Sequence, residues 1–311
     1  MKLQHLSLIL VLILFSGTAR AATLWDKLND EVETFYQQGD YKGAAVAAKK
    51  ALQAAEQGLE PGHPDIATSL NSLAMIYSAQ GRYKEAEPLL KRAQAIFEKS
   101  LGAESPEVAA TLNNLAMLYR NKGDYAEAES LYKRALAIDE KAFGGEHPNV
   151  AASLNNLAQL YQTQGQYPQA EPLLKRAVAI LEKTGGPNHP NLAMSLNNLA
   201  LLYNAQKQYA KAEPLYKRVF AITKRAFGPN HPNLALSLNN LGGLYKDQGK
   251  YPHAEPLFRR ALLISEETLG PDHPNVATSL ENLAQLYREI GYPHKAEPLA
   301  KRAAAIRKEK R

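Results

Sequence analysis

No cysteine occurs in the 311 residues. That absence excludes disulfides, thiolate metal sites, a cysteine nucleophile and the acylated cysteine of a lipoprotein. Long apolar runs are also missing. The segment Leu6 to Phe15 is apolar, but a spanning helix needs about 20 such residues. There is no glycine-rich phosphate loop and no strand pattern on which to mount one. No acid or nucleophile stands outside the chain's repeating grammar, and His253 and His294, the two histidines beyond residue 21 that are off the 42-residue series, have no nucleophile spacing beside them, so no catalytic set is expected. Charge is nearly balanced. The formal net of +6 falls to +4 if Lys2 and Arg20 are removed. Aromatic residues recur in fixed columns and form no stacking face, so nucleic acid is not an expected partner. No cofactor is expected either.

The first 21 residues read as an export signal. Lys2 supplies the positive start, Leu6 to Phe15 the apolar stretch, and Ala19-Arg20-Ala21 a small-x-small site, which predicts cleavage after Ala21. The expectation is a periplasmic or secreted protein with no stable membrane insertion after cleavage.

What fills the remaining chain is one sentence repeated every 42 residues. His63, Ser105, His147, His189, His231 and His273 are each 42 apart, and the phrase Ser-Leu-Asn-Asn-Leu-Ala returns with them from Ser153 and Ser195. A fixed period of this size marks a solenoid, whose units bury a face only against their neighbours. Within one unit, Leu70, Leu73, Ala74 and Tyr77 fall on one face of a helix. Pro64 suits its first turn and Gly81 its end. A second helix from about Lys84 turns Ala86, Leu89, Leu90, Ala93, Ile96 and Phe97 inward and closes at Leu101-Gly102. Each unit is therefore a helical hairpin. Ala74 and Ala86 mark the close approach, where a larger side chain would overpack. Pro88, Pro172, Pro214, Pro256 and Pro298 lie about a turn into each second helix, near enough to the edge that little bonding is lost. Lys207 replaces the turn glycine once and should cost roughly 1 kcal/mol there.

The spacing Leu73-Ala74-x-x-Tyr77-x-x-x-Gly81-x-Tyr83-x-x-Ala86-x6-Ala93 resembles the tetratricopeptide repeat. The 42-residue length, the His-Pro start and the Leu-Asn-Asn-Leu-Ala core are similar to the subclass found in kinesin light chains. The resemblance implies an all-α, right-handed superhelical solenoid of about seven helix-turn-helix repeats, with first helices along a concave face that recognises peptides. The expected divisions are a divergent N-terminal capping repeat over 22–62, five repeats over 63–272, and a C-terminal repeat with a basic capping helix over 273–311. The last unit has Gly291-Tyr-Pro-His against Gly249-Lys-Tyr-Pro-His, a local shift of one residue.

The candidate site is a row of asparagines on the first helices: Asn71, Asn113/Asn114, Asn155/Asn156, Asn197/Asn198, Asn239/Asn240 and Asn282. Asparagine is a poor helix former, so its return in mid-helix needs a reason. One reason is a hydrogen-bond ladder tying neighbouring repeats. The other, which the resemblance implies, is a groove whose amides pair with the main chain of an extended peptide or protein. Positions around the amides vary more, and Arg120, Lys246 and Arg288 bias the lining toward an acidic partner. A structural spacer or self-assembling solenoid is the alternative function.

Two other series have plainer explanations. The histidines would lie ~8–10 Å apart on packed helices, too far to share a metal, and they suit capping. The pairs Glu87–Lys91, Glu129–Lys133, Glu171–Lys175 and Glu213–Lys217 have the i, i+4 spacing of a solvated helix face.

Overall fold

The computed structural model describes residues 24–309, and these form fourteen helices in seven antiparallel hairpins. The predicted leader lies outside the described residues. The first helices are α1 (Leu24–Gln37), α3 (Pro64–Ala79), α5 (Pro106–Lys122), α7 (Pro148–Thr163), α9 (Pro190–Ala205), α11 (Pro232–Asp247) and α13 (Pro274–Glu289). The second helices are α2 (Tyr41–Gly58), α4 (Tyr83–Leu101), α6 (Tyr125–Phe143), α8 (Tyr167–Gly185), α10 (Tyr209–Phe227), α12 (Tyr251–Leu269) and α14 (Pro293–Glu309). The solenoid expected from the period is the fold observed. Among the described residues no helix is long and apolar enough to cross a membrane.

Local chemistry explains the boundaries. Each histidine of the 42-residue series caps a first helix: the Asp65 N–H donates to His63 Nδ1, the Asn149 N–H to His147 Nδ1 and the Asn191 N–H to His189 Nδ1, each at 3.2 Å. Ser105 does the same work through its hydroxyl oxygen, which accepts from Val108 N–H at 3.3 Å. The following proline occupies the first helical position, where its missing N–H is not needed. Lys207 holds the left-handed backbone that glycine holds in the other hairpins, with φ of 57°.

The hairpins close on small residues. Ala74, Ala86, Ala116, Ala128, Ala158 and Ala170 are fully buried. The opposing column on the second helices is large: Leu90, Tyr132, Leu174, Tyr216 and Phe258. Gly242 stands in the alanine column opposite Phe258, and a Cβ there would lie 2.8 Å from the Phe258 ring. The wider ring therefore requires the smaller neighbour. Pro88 is tolerated because it is near the start of α4, so only one helical bond is lost. The shift in the last hairpin stays local. Ala296 keeps its 42-residue spacing from Ala254 and is fully buried, whereas Tyr292 is displaced outward and left 45% exposed.

Hairpins stack on their neighbours in sequence. The first helices α3 and α5, α5 and α7, α7 and α9, and α11 and α13 also touch directly across repeats. No second-helix pair packs that closely.

Candidate functional site

The asparagine pairs divide by position. The leading asparagine of each pair reaches across to the next first helix and donates to a serine or threonine. Asn71 Nδ2 donates to Thr111 Oγ1 at 2.8 Å, Asn113 to Ser153 at 3.1 Å, Asn155 to Ser195 at 2.6 Å and Asn239 to Ser279 at 2.9 Å. Trp25 begins the series, its indole N–H donating to Ser69 Oγ at 2.7 Å. At the other end Glu281 replaces asparagine and pairs with Arg307 at 3.1 Å. One rung differs. Asn197 Oδ1 accepts from Asn240 Nδ2 at 2.7 Å, and Ser237 instead donates to the Leu234 carbonyl at 2.8 Å. This is the junction of α9 and α11, where the first helices lack the close approach seen at their neighbours.

The trailing asparagines are less committed. Asn198 donates to Asn155 Oδ1 at 3.2 Å, and Asn240 joins the ladder as described. Asn114, Asn156 and Asn282 are half-buried and take part in none of these bonds. The ladder explanation for asparagine thus has its residues. The serine column two residues ahead of the asparagines, Ser153-Leu-Asn155 and its copies, is the sequence signal for these rungs.

The three cations of the lining differ sharply. Lys246 is neutralised at 3.4 Å by both Asp247 and Glu289. Arg288 is exposed. Arg120 is only 6% exposed. Its Nη1 donates to Gln159 Oε1 at 2.9 Å, its Nε meets no acceptor, and no carboxylate pairs with it among the described residues. Burying a guanidinium beside a neutral amide alone is costly.

Two further arrangements lie outside the sequence expectations. Tyr119, Tyr161, Tyr203, Tyr245 and Tyr287 donate to Glu87, Glu129, Glu171, Glu213 and Glu255 of the preceding hairpin at 2.7–3.2 Å. The same carboxylates accept the cation four residues on. The i, i+4 pairs are therefore anchors of a clamp between repeats. Lys91, Lys122 and Tyr119 together hold the Glu87 carboxyl at about 2. Asp139 is the other surprise, a carboxylate only 5% exposed on α6. Its Oδ2 accepts from Ser153 Oγ at 2.5 Å, which joins it to the Asn113 rung, and burial pushes its carboxyl up to about 6.

Comparison with known proteins agrees with this geometry. A kinesin light chain of Podosopora anserina with nearly identical tetratricopeptide-like repeats is 32% identical, with a TM-score of 0.54 over 66% of this chain and 98% of that one. The BtubC (BKLC) protein of P. vanneervenii is 25% identical, with a TM-score of 0.59 over 74% and 91%. A Rap protein complexed with Competence and Sporulation Factor shares the fold at 17% identity, with a TM-score of 0.69 over 92% and 75%. Among the curated proteins none matches the chain. The profile described as Tetratricopeptide repeat matches residues 27–99, 107–183, 165–224, 191–262 and 242–309. With capped hairpins, a buried alanine column and a profile match along nearly all the described residues, the chain belongs to the tetratricopeptide repeat family.

Proposed function

We propose that the protein is a non-enzymatic scaffold that binds a protein or extended peptide along the inner face of its first helices. The observation that carries this is the division of the asparagine pairs. Mid-helix asparagine costs about 0.5 kcal/mol or more relative to alanine. The leading asparagines offset that cost with bonds between repeats. Asn114, Asn156 and Asn282 gain none of those bonds, yet their amides are half-buried on the same helices. An amide there offers donors and an acceptor to the main chain of a partner. Arg120, whose charge no carboxylate answers among the described residues, favours a partner that carries acidic groups. The leader pattern of residues 1–21 places this binding outside the cytoplasm in the proposal.

The test is partner capture from a periplasmic extract, read by mass spectrometry, with the N114A/N156A/N282A triple variant beside the parent. Capture should fall while the melting temperature stays within a degree or two. Unchanged capture would overturn the groove. The ladder itself favours the second reading, a spacer held rigid by its rungs. That reading predicts no specific partner for the parent either.

A further inference from the structure

The first hairpin touches the last. His273, at the start of α13, places Nε2 3.2 Å from the carbonyl of Gln37, 236 residues earlier in the chain. Its Nδ1 accepts the capping bond from Asn275 N–H at 3.1 Å, so the neutral ring with its proton on Nε2 satisfies both contacts. Beside it, Gly39 packs on Pro274 so closely that a Cβ would lie 2.7 Å from Pro274 Cδ. Every other glycine with positive φ has open space at that point. His273 is 8% exposed, whereas His63, His147, His189 and His231 are half-buried or exposed. Arg307 of α14 lies close enough for its charge to act on Tyr41 of α2.

From these contacts we infer a latch: the turn of the first hairpin docks on the His273–Pro274 corner and closes the solenoid after one turn, so that the inner face is fenced and a partner reaches it by opening this contact. The turn edge of the first hairpin meets the opposite, inter-repeat edge of the last. The superhelix therefore advances by about one hairpin height, ~24 Å for a 16-residue helix, and its ends overlap like those of a split washer. Among the described residues the contact includes a hydrogen bond, a glycine–proline packing and a charge at some distance. Opening it needs only slight rotations spread over the six junctions between hairpins, because apart from this contact the hairpins pack chiefly on their neighbours in sequence. Such a contact can be outweighed by a ligand that prefers the open form. The gating role rests on the proposed binding face; the latch does not.

The experiment uses the absence of cysteine. Spin labels at Lys42→Cys and Asp272→Cys, both exposed and beside the contact, report the separation of the two ends. His273→Ser keeps a capping group, as Ser105 shows, and removes the donor to Gln37. Gly39→Asn adds a side chain against Pro274 from the other side. His189→Ser and Gly81→Asn make the same changes away from this contact. The parent should show one short separation, the two latch variants longer and broader ones, and the two controls the parent's. A parent that is already broad, latch variants that match the parent, or controls that open equally would overturn the latch. A cysteine at Asn156 tests the gate. Opening should raise its rate with a 5-kDa polyethylene-glycol maleimide several-fold and leave that with N-ethylmaleimide unchanged. Equal rates for the bulky reagent would overturn the gate while the label distances still judge the latch.

Discussion

Asp139 shows how one residue can depart from a column without breaking the fold. The 42-residue column through it holds Ala55, Phe97, Leu181, Thr223, Ser265 and Arg307, all buried but the last. A carboxylate there is held by a single short bond from Ser153, and burial is the main reason its carboxyl rises to about 6. In the unfolded chain the same group titrates near 3.9. Between these values the folded state binds more protons, so stability falls as pH rises from about 4 to 6 and is level above. Asp139→Asn should remove that slope and raise stability at pH 7 by on the order of 2 kcal/mol, measured as urea midpoints from pH 4 to 7. A slope that survives the substitution would show that the charge of Asp139 is compensated in a way the single bond does not reveal.

At the level of the helix, two adjacent asparagines on α7 have opposite assignments. Asn155 is buried, donates to Ser195 and to the Ala151 carbonyl, and accepts from Asn198. Asn155→Ala leaves Ser195 and Asn198 without their partner and should cost about 2–3 kcal/mol. Asn156→Ala removes no such bond and gains helix propensity, so its effect should stay within about 0.5 kcal/mol. Thermal melting of the two variants checks the contrast directly. The helices, their prolines, their caps and their alanine contacts were legible in the sequence, because each depends on neighbours within one 42-residue unit. The partner of Asn155 was not, because Ser195 lies 40 residues away and the asparagine pattern alone suits a rung or a groove equally. Lys246 is a mixed case: Asp247 stands next to it in the sequence, whereas the pairing with Glu289, 43 residues on, appears only in the structure.

The whole molecule is a stack of hairpins joined by nearest-neighbour interfaces, and its stability is close to a sum of those joints. Five of them carry a tyrosine–glutamate clamp. The carboxyls of Glu87, Glu129, Glu171, Glu213 and Glu255 are held below their ordinary value, chiefly by the adjacent lysine and, for Glu255, by Tyr287. Groups depressed in this way contribute stability that is complete above about pH 4.5 and is lost as acid titrates the folded carboxylates, down to about 2 for Glu87. Because the clamps repeat, acid weakens every joint together. Combined with the opposite slope of Asp139, this predicts a stability maximum near pH 5, visible in urea midpoints from pH 3 to 8. A steady rise from pH 3 to 8 would mean that Asp139 is not the destabilising acid described above.

The period alone determined the solenoid, the count of hairpins, the capping histidines and the columns of small and large residues. These are local matters, since a helix face, a turn and a cap are each read within a few residues. Tertiary structure decided which asparagine is a rung and which takes no part in the ladder, that the tyrosine hydroxyls bind glutamates one hairpin back, and that Arg120 is buried with no carboxylate paired to it among the described residues. It also decided that Gly39 meets Pro274. The small rotation between successive hairpins is written in no single repeat, and only its accumulation brings residue 37 to residue 273.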